Sequence, residues 1–97
     1  MSGTNPFVIR ATPRALSNWT TLDAHLKAEI REHAEGIAGD PAGALVRASS
    51  RGAAQEAWTC EFRSKYDADL AVRLVFTDLD LHAGTCVLVS IVTRREP

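Results

Sequence analysis

The sequence lacks the features that mark several large classes of protein. Its 97 residues are too few for a doubly wound dinucleotide-binding enzyme or a (β/α) barrel. It has no run of eighteen apolar residues that could span a membrane, and the apolar run at residues 7–9 is too short for the core of a signal peptide. We therefore expect one cytoplasmic domain over residues 1–97, with a frayed start at residues 1–6.

Cysteine and histidine are too scarce to indicate a metal centre. Cys60 and Cys86 are too few and too far apart for a zinc motif or a disulfide framework, and both read as buried thiols. His25 and His33 lie on a predicted helix, about 12 Å apart along its axis, which is too far to share an ion.

An acidic stretch near residue 80 has the spacing of a cation site but lacks the other residues of an EF-hand loop. Asp78, Asp80 and His82 recur at intervals of two. The EF-hand pattern fails, because Gly84 is one position late and Val89 stands where the glutamate should be. We predict an acidic turn and expect no cofactor.

Neither sign of charge dominates. Eleven Lys and Arg against twelve Asp and Glu give a formal net charge of −1, which provides no overall field for capturing nucleic acid. Nine of the eleven cations are arginine, whose planar group suits phosphate, although a GC-rich genome produces the same bias. A phosphate site must therefore come from local clustering.

The first forty residues predict a strand followed by two helices. Residues 7–11 alternate as a strand does, and a Thr-Pro pair then begins a short helix over 13–20 that should bury Leu16 and Trp19. The helical pattern begins again at Thr20 or Thr21, with Asp23 in the first turn of a second helix. The apolar stripe of the second helix is Leu22, Leu26, Ile30, Ala34 and Ile37, and its charged outer face is Lys27, Glu29, Arg31, Glu32 and Glu35.

The remaining chain predicts a long connection and three strands. Residues 41–57 are rich in Ala, Gly and Ser and read as a surface loop. The spacing of the apolar residues then changes to a period of two. This period predicts strands over 58–63, 71–77 and 85–93, with turns at 64–69 and 78–84. The last strand is apolar on both faces and should lie at the centre of the sheet.

Glu61 and Arg73 form the most specific pair in the sequence. A turn centred near Asp67 places them opposite each other on neighbouring strands. Glu61 could then be a general base and Arg73 a phosphate clamp, or the two could form a cross-strand salt bridge worth under about 1 kcal/mol. We favour the salt bridge, because ion-paired strand residues are far commoner than catalytic ones.

Four other arginines are weaker candidates for phosphate contact. Arg94 and Arg95 could contact phosphate or simply solvate the end of the chain. Arg47 and Arg51 lie in the predicted loop, where they could touch RNA or an acidic partner, although arginines on polar loops usually only keep them solvated.

Several segments together resemble the RelE/ParE superfamily of bacterial toxins. They are FVIRATPRAL at residues 7–16, the helical hairpin closed by residues 39–41, WTCEFRS at 58–64, AVRLVF at 71–76 and VLVSIVTRRE at 87–96. The likeness covers nearly the whole chain. It implies an α+β fold with an N-terminal strand, a two-helix hairpin and a three-stranded antiparallel meander.

The resemblance also implies a function. Such a protein would be a toxin neutralised by an antitoxin, acting on messenger RNA at the ribosome or, like the ParE branch, on DNA gyrase. In the first case the resemblance places Arg73 and Arg95 at the catalytic site and Arg63 and Arg94 on the RNA. A third possibility is a toxin-derived protein-binding module without chemistry, because Thr59 and Glu61 stand where the RelE branch has lysines.

All versions of the RNA site require one geometry. The guanidinium groups of Arg73, Arg94 and Arg95 should converge on a shared open side of a curved sheet packed on the helical pair.

Overall fold

The structure, a computed structural model, describes residues 7–48 and 56–96. The predicted frayed start at residues 1–6 lies outside them. The described elements are β1 (Val8–Ala11), α1 (Pro13–Thr20), α2 (Ala24–Gly39), α3 (Pro41–Ala44), β2 (Val46–Ala48), β3 (Ala57–Arg63), β4 (Leu70–Asp80) and β5 (Thr85–Arg95). None of the described helices is long and apolar enough to cross a membrane.

The strands form one sheet in the order β1-β5-β4-β3-β2. The predicted α+β class and the antiparallel meander β3-β4-β5 are confirmed. β1 pairs with β5 in parallel, and β2 pairs with β3 antiparallel. The central strand is therefore β4, not β5 as predicted, because an additional strand joins the sheet on the β3 side.

That additional strand lies in the segment predicted to be a surface loop. Residues 41–57 begin with the single turn α3, whose first N–H groups are capped by Asp40, and continue into β2. Leu45 is buried in the core between the two elements. A helix of four residues and a strand of three are too short to produce a period in the sequence, which is why the pattern did not predict them.

The helices cover one face of the sheet and leave the other uncovered. The apolar stripe of α2 packs on alternate residues of β3, β4 and β5, and the fully buried members of this core include Ile37, Val72, Leu74, Phe76 and Cys86. The residues between them point the other way. We call that uncovered side the open face.

The short helix α1 is held to β5 by polar contacts as well as by apolar side chains. Thr12 Oγ1 donates to the Val89 carbonyl at 3.2 Å, and Asn18 Oδ1 accepts from the Ile91 N–H at 3.1 Å. Ala15 is the residue of α1 that is fully buried. Leu16 is 53% exposed, so the prediction that it is buried was wrong, because α1 presents the adjacent position to the sheet.

Two details of α2 differ from the sequence prediction. Asp23 is itself the N-cap, with Oδ1 accepting from the Leu26 N–H at 2.8 Å, so the helix begins later than Thr20 or Thr21. Glu29, predicted on the charged outer face, is only 3% exposed. Its carboxylate accepts hydrogen bonds from Ser64 Oγ at 2.5 Å and from the Lys65 N–H at 2.7 Å, which replace the water it loses.

The acidic stretch near residue 80 continues a strand. β4 runs through Asp80, so the turn is limited to residues 81–84 instead of 78–84. Asp78 adopts a left-handed backbone (φ 53°) where the β4-β5 register shifts, and Asp80 Oδ1 accepts from the Ala83 N–H at 2.9 Å. Within residues 7–48 and 56–96 no three His, Cys, Asp or Glu side chains form a potential metal site.

Both cysteines are buried and free, as predicted. They lie on β3 and β5 with β4 between them, so their backbones are at least about 10 Å apart, which exceeds the reach of about 7 Å that a disulfide allows. Burial raises the pKa of Cys86 to about 11. The pKa of Cys60 is also raised, first by burial and second by the negative charge of Glu61.

We therefore expect neither thiol of the native protein to react quickly with a thiol reagent near neutral pH. Titration with an aromatic disulfide reagent should give slow native reaction and rapid reaction of both thiols in denaturant. Fast labelling of either thiol in the native protein would contradict the buried positions.

Candidate functional site

Three arginines meet at one end of the open face. Arg63, Ala71 and Arg94 lie in register across β3, β4 and β5. In the next row Arg73 lies between Glu61 and Val92. We call Arg63, Arg73 and Arg94 the arginine cluster.

The backbone beneath the arginine cluster is fixed by the core. Arg73 lies between Val72 and Leu74, which are each 1% exposed and packed on the helices. Because side chains alternate along a strand, burial of these two residues forces Arg73 onto the open face. The sequence of β4 thus decides where this guanidinium group points.

The predicted pairing of Glu61 with Arg73 is confirmed. The two residues are direct partners across β3 and β4, and Arg73 Nε lies 2.6 Å from Glu61 Oε1. Both side chains are about half exposed, so the pair contributes little to folding. It holds a carboxylate and a guanidinium group in one place, where both face solvent.

Glu96 is a second carboxylate beside the arginine cluster, and it was not predicted as a site residue from the sequence. Its carboxylate lies 3.5 Å from Arg63 Nη2 and 3.7 Å from Arg94 Nη1. Its N–H donates to the Asp69 carbonyl at 2.7 Å, which holds the end of the chain beside the β3-β4 turn. Strand parity could have suggested this position, since residues two apart on a strand share a face.

A shallow depression of about 100 Å³ opens between these side chains. Its lining residues include Glu61, Ala71, Arg73, Val92, Arg94 and Glu96. The guanidinium groups of Arg73 and Arg94 could bind an oxyanion, and the carboxylate of Glu61 could accept a proton.

Arg95 does not belong to this site. It is the partner of Leu70, so it lies on the helix-covered side of the sheet, and its Nη1 lies 2.7 Å from Asp67 Oδ2 in the β3-β4 turn. The expectation that Arg73, Arg94 and Arg95 share an open side was wrong for Arg95. The physical reason is that β5 stays a regular strand through Arg95, so adjacent arginines point to opposite faces.

The ion pair of Arg95 gives a testable titration. Its hydrogen bond to Asp67 is the largest cause that lowers the pKa of that carboxyl below its ordinary value. The stabilisation is therefore present at pH values above the ordinary pKa and is lost as the pH falls through the lowered one. In Arg95→Ala, a carboxyl-detected NMR titration should show the pKa of Asp67 rising; an unchanged pKa would contradict the pairing.

Of the two loop arginines, Arg47 is separate from the arginine cluster. Arg47 lies on the edge strand β2 as the partner of Trp58, which puts it on the helix-covered side, and it pairs with Glu56. Arg51 lies outside the described residues.

Comparison with known proteins identifies the fold. No protein-family model and no curated protein matches the chain. The RelBE2 toxin-antitoxin complex of Mycobacterium tuberculosis matches in structure with a TM-score of 0.69 and 20% identity, over 93% of this chain and 100% of that chain.

Two structures from E. coli are similar as well. The intact RelBE toxin-antitoxin complex gives a TM-score of 0.62 at 16% identity, over 94% of this chain and 96% of that one. A mutant of the toxin RelE in the free state gives 0.62 at 17% identity, over 90% of this chain and 82% of that one. The chain therefore has a RelE-like fold.

Proposed function

We propose, on the premise of this RelE-like fold, that the protein is the toxin of a bacterial toxin-antitoxin pair and that it cleaves RNA on its open face. The observation that carries the proposal is the depression on the uncovered side of the sheet, which Arg73 and Arg94 of the arginine cluster line together with Glu61. Two of the similar structures are toxin-antitoxin complexes, which supports an antitoxin as partner.

The residues at the depression match the demands of RNA cleavage by the neighbouring 2′-hydroxyl. The hydroxyl needs a base, the phosphorane needs cations and the leaving 5′-oxygen needs a proton. Arg73 and Arg94 would bind the scissile phosphate. When the phosphate takes over the Arg73 fork, the Glu61 carboxylate is released to accept the 2′-hydroxyl proton. The 2′-oxygen then attacks the phosphorus and displaces the 5′-oxygen, which takes a proton from solvent water, and a 2′,3′-cyclic phosphate remains.

Selectivity for a particular messenger RNA sequence would have to come from another molecule. The chain has six aromatic residues, all within the described parts, and those on the strands face the helices. Tyr66 contacts His25 of α2, and Trp19 lies beneath Lys27 and Arg31. No aromatic side chain is therefore placed on the open face to stack on a base, so contacts there would be made to phosphate and would not depend on base identity. The ribosome is the surface that would present a defined message.

The antitoxin would cover the same face. Between the arginine cluster and the edge strands, the open face carries Val75, Val87 and other small or β-branched side chains. A partner segment with apolar residues over these positions and carboxylates over the arginine cluster would cover both, by complementarity of charge and hydrophobicity.

Regulated expression of the chain alone tests the proposal. Colony counts should fall after induction, and mapping of RNA 5′ ends should show new cuts within translated messages. Normal growth with ample folded protein would contradict the toxin role. Arrest with intact transcripts and impaired DNA supercoiling would redirect the proposal to gyrase, and partner binding without toxicity would identify a module that lacks chemistry.

A further inference from the structure

A gap separates two arginines at the end of the open face. Arg63, Ala71 and Arg94 are in register on three consecutive strands. Neighbouring strands are about 4.8 Å apart, so the two arginine backbones lie about 10 Å from each other. The methyl group of Ala71 is the only side chain between them in this row, and it forms part of the floor of the depression.

The Glu96 carboxylate spans this gap. One oxygen faces Arg63 and the other faces Arg94, at 3.5 Å and 3.7 Å. Arg63 is also fixed through Nη1, which donates to the carbonyls of Ala68 at 2.9 Å and Glu96 at 3.2 Å. The two guanidinium groups are thus already arranged around an oxyanion.

We propose that the gap over Ala71 is a second phosphate subsite, in which Glu96 is an internal stand-in for a phosphodiester group and must be displaced when RNA binds. The RNA part of this inference rests on the proposed function. The Arg63–Arg94 subsite lies one strand step of two residues, about 6.7 Å, from the row of Arg73. An extended RNA backbone can bridge that distance, so the scissile phosphate would bind Arg73 and Arg94, and the next phosphate would bind over Ala71, between Arg94 and Arg63.

Replacement of the Glu96 carboxylate by a phosphate group is physically favoured. Carboxylate and phosphate are both oxyanions that guanidinium groups bind through paired N–H donors, and phosphate carries more acceptor oxygens. All three side chains are exposed, with 42% exposure for Glu96, so its ion pairs are weak and easily replaced. Glu96 therefore lowers the affinity of the face for phosphate without closing it.

Fluorescence anisotropy with a short labelled oligouridylate at low salt tests the subsite. Glu96→Gln should bind about two- to fivefold more tightly than the parent protein, the range set by exposed ion pairs. Glu35→Gln removes the same charge from the exposed side of α2 and is the matched control, for which affinity should barely change. Equal gains in the two variants would show general electrostatics only and would overturn the inference.

A double variant locates the effect. If Glu96 acts on the Arg63–Arg94 gap, then Glu96→Gln should give no gain in an Arg94→Ala background. A full gain in that background would place the effect elsewhere and would also overturn the inference.

A probe without RNA separates this inference from the proposed function. In NMR spectra of the arginine Nε–H groups, pyrophosphate should shift Arg63 and Arg94 at lower concentration in Glu96→Gln than in the parent. That result without RNA cleavage would support the subsite and contradict the nuclease. RNA cleavage with no response of these two groups would support the nuclease and contradict the subsite.

Discussion

Replacing Arg73 with alanine should abolish growth arrest and reduce RNA cleavage by about 10²- to 10³-fold. That is the usual cost of removing one preorganised group that stabilises developing charge. Arg73 is the only arginine of the cluster in direct register with Glu61, so its loss removes the phosphate clamp and the partner of the proposed base together.

The fold should survive this change. The ion pair with Glu61 is exposed on both sides, so the free energy of unfolding should fall by less than about 1 kcal/mol. Arg73→Lys keeps the charge but loses the fork and should be intermediate. Arg14→Ala, on the exposed side of α1, is the control and should leave toxicity intact. Full toxicity of a folded Arg73→Ala protein would rule out this clamp.

Replacing Glu29 with alanine should lower the free energy of unfolding by about 2 to 4 kcal/mol. The carboxylate is buried and accepts hydrogen bonds from Ser64 Oγ and from the Lys65 N–H. Truncation leaves the Lys65 N–H without its acceptor and opens a small cavity between α2 and the β3-β4 turn. Hydrogen bonds to a charged group are the costly ones to remove.

Urea unfolding followed by tryptophan fluorescence measures this loss. Glu35→Ala, on the exposed side of the same helix, should change stability by no more than about 0.5 kcal/mol. Glu29→Gln should lie between the two, because the amide keeps one acceptor. Equal stability of the Glu29 and Glu35 variants would show that the buried contacts contribute nothing.

Glu29 also supports the candidate site from a distance. It fixes the start of the turn between β3 and β4, and the same turn supplies the Ala68 and Asp69 carbonyls that hold Arg63 and Glu96. A loosened turn would therefore disturb the arginine cluster, although Glu29 lies on the opposite side of the sheet.

Some of this site could be predicted from sequence, and some could not. The Glu61–Arg73 pair was predictable because one tight turn fixes the register of both strands that it joins. Arg95 was misplaced because adjacent residues of a strand face opposite ways, and only the structure shows that β5 continues regularly to Arg95. Glu96 was missed because the predicted last strand ended at residue 93, so strand parity was not extended to it, and its backbone contact with Asp69 is visible only in the structure.

By itself the sequence determined the elements whose side chains repeat with a period, because hydrophobic alternation is a local property. These features are the bounds of α1, the apolar stripe of α2 and the three long strands. Tertiary structure decided what depends on neighbours far along the chain. These features are the order of the sheet with β2 at its edge, the burial of Glu29 against the β3-β4 turn, and the choice of Arg94 over Arg95 for the arginine cluster. Each of them is fixed by which surfaces meet when the sheet packs on the helices, and no local pattern records that.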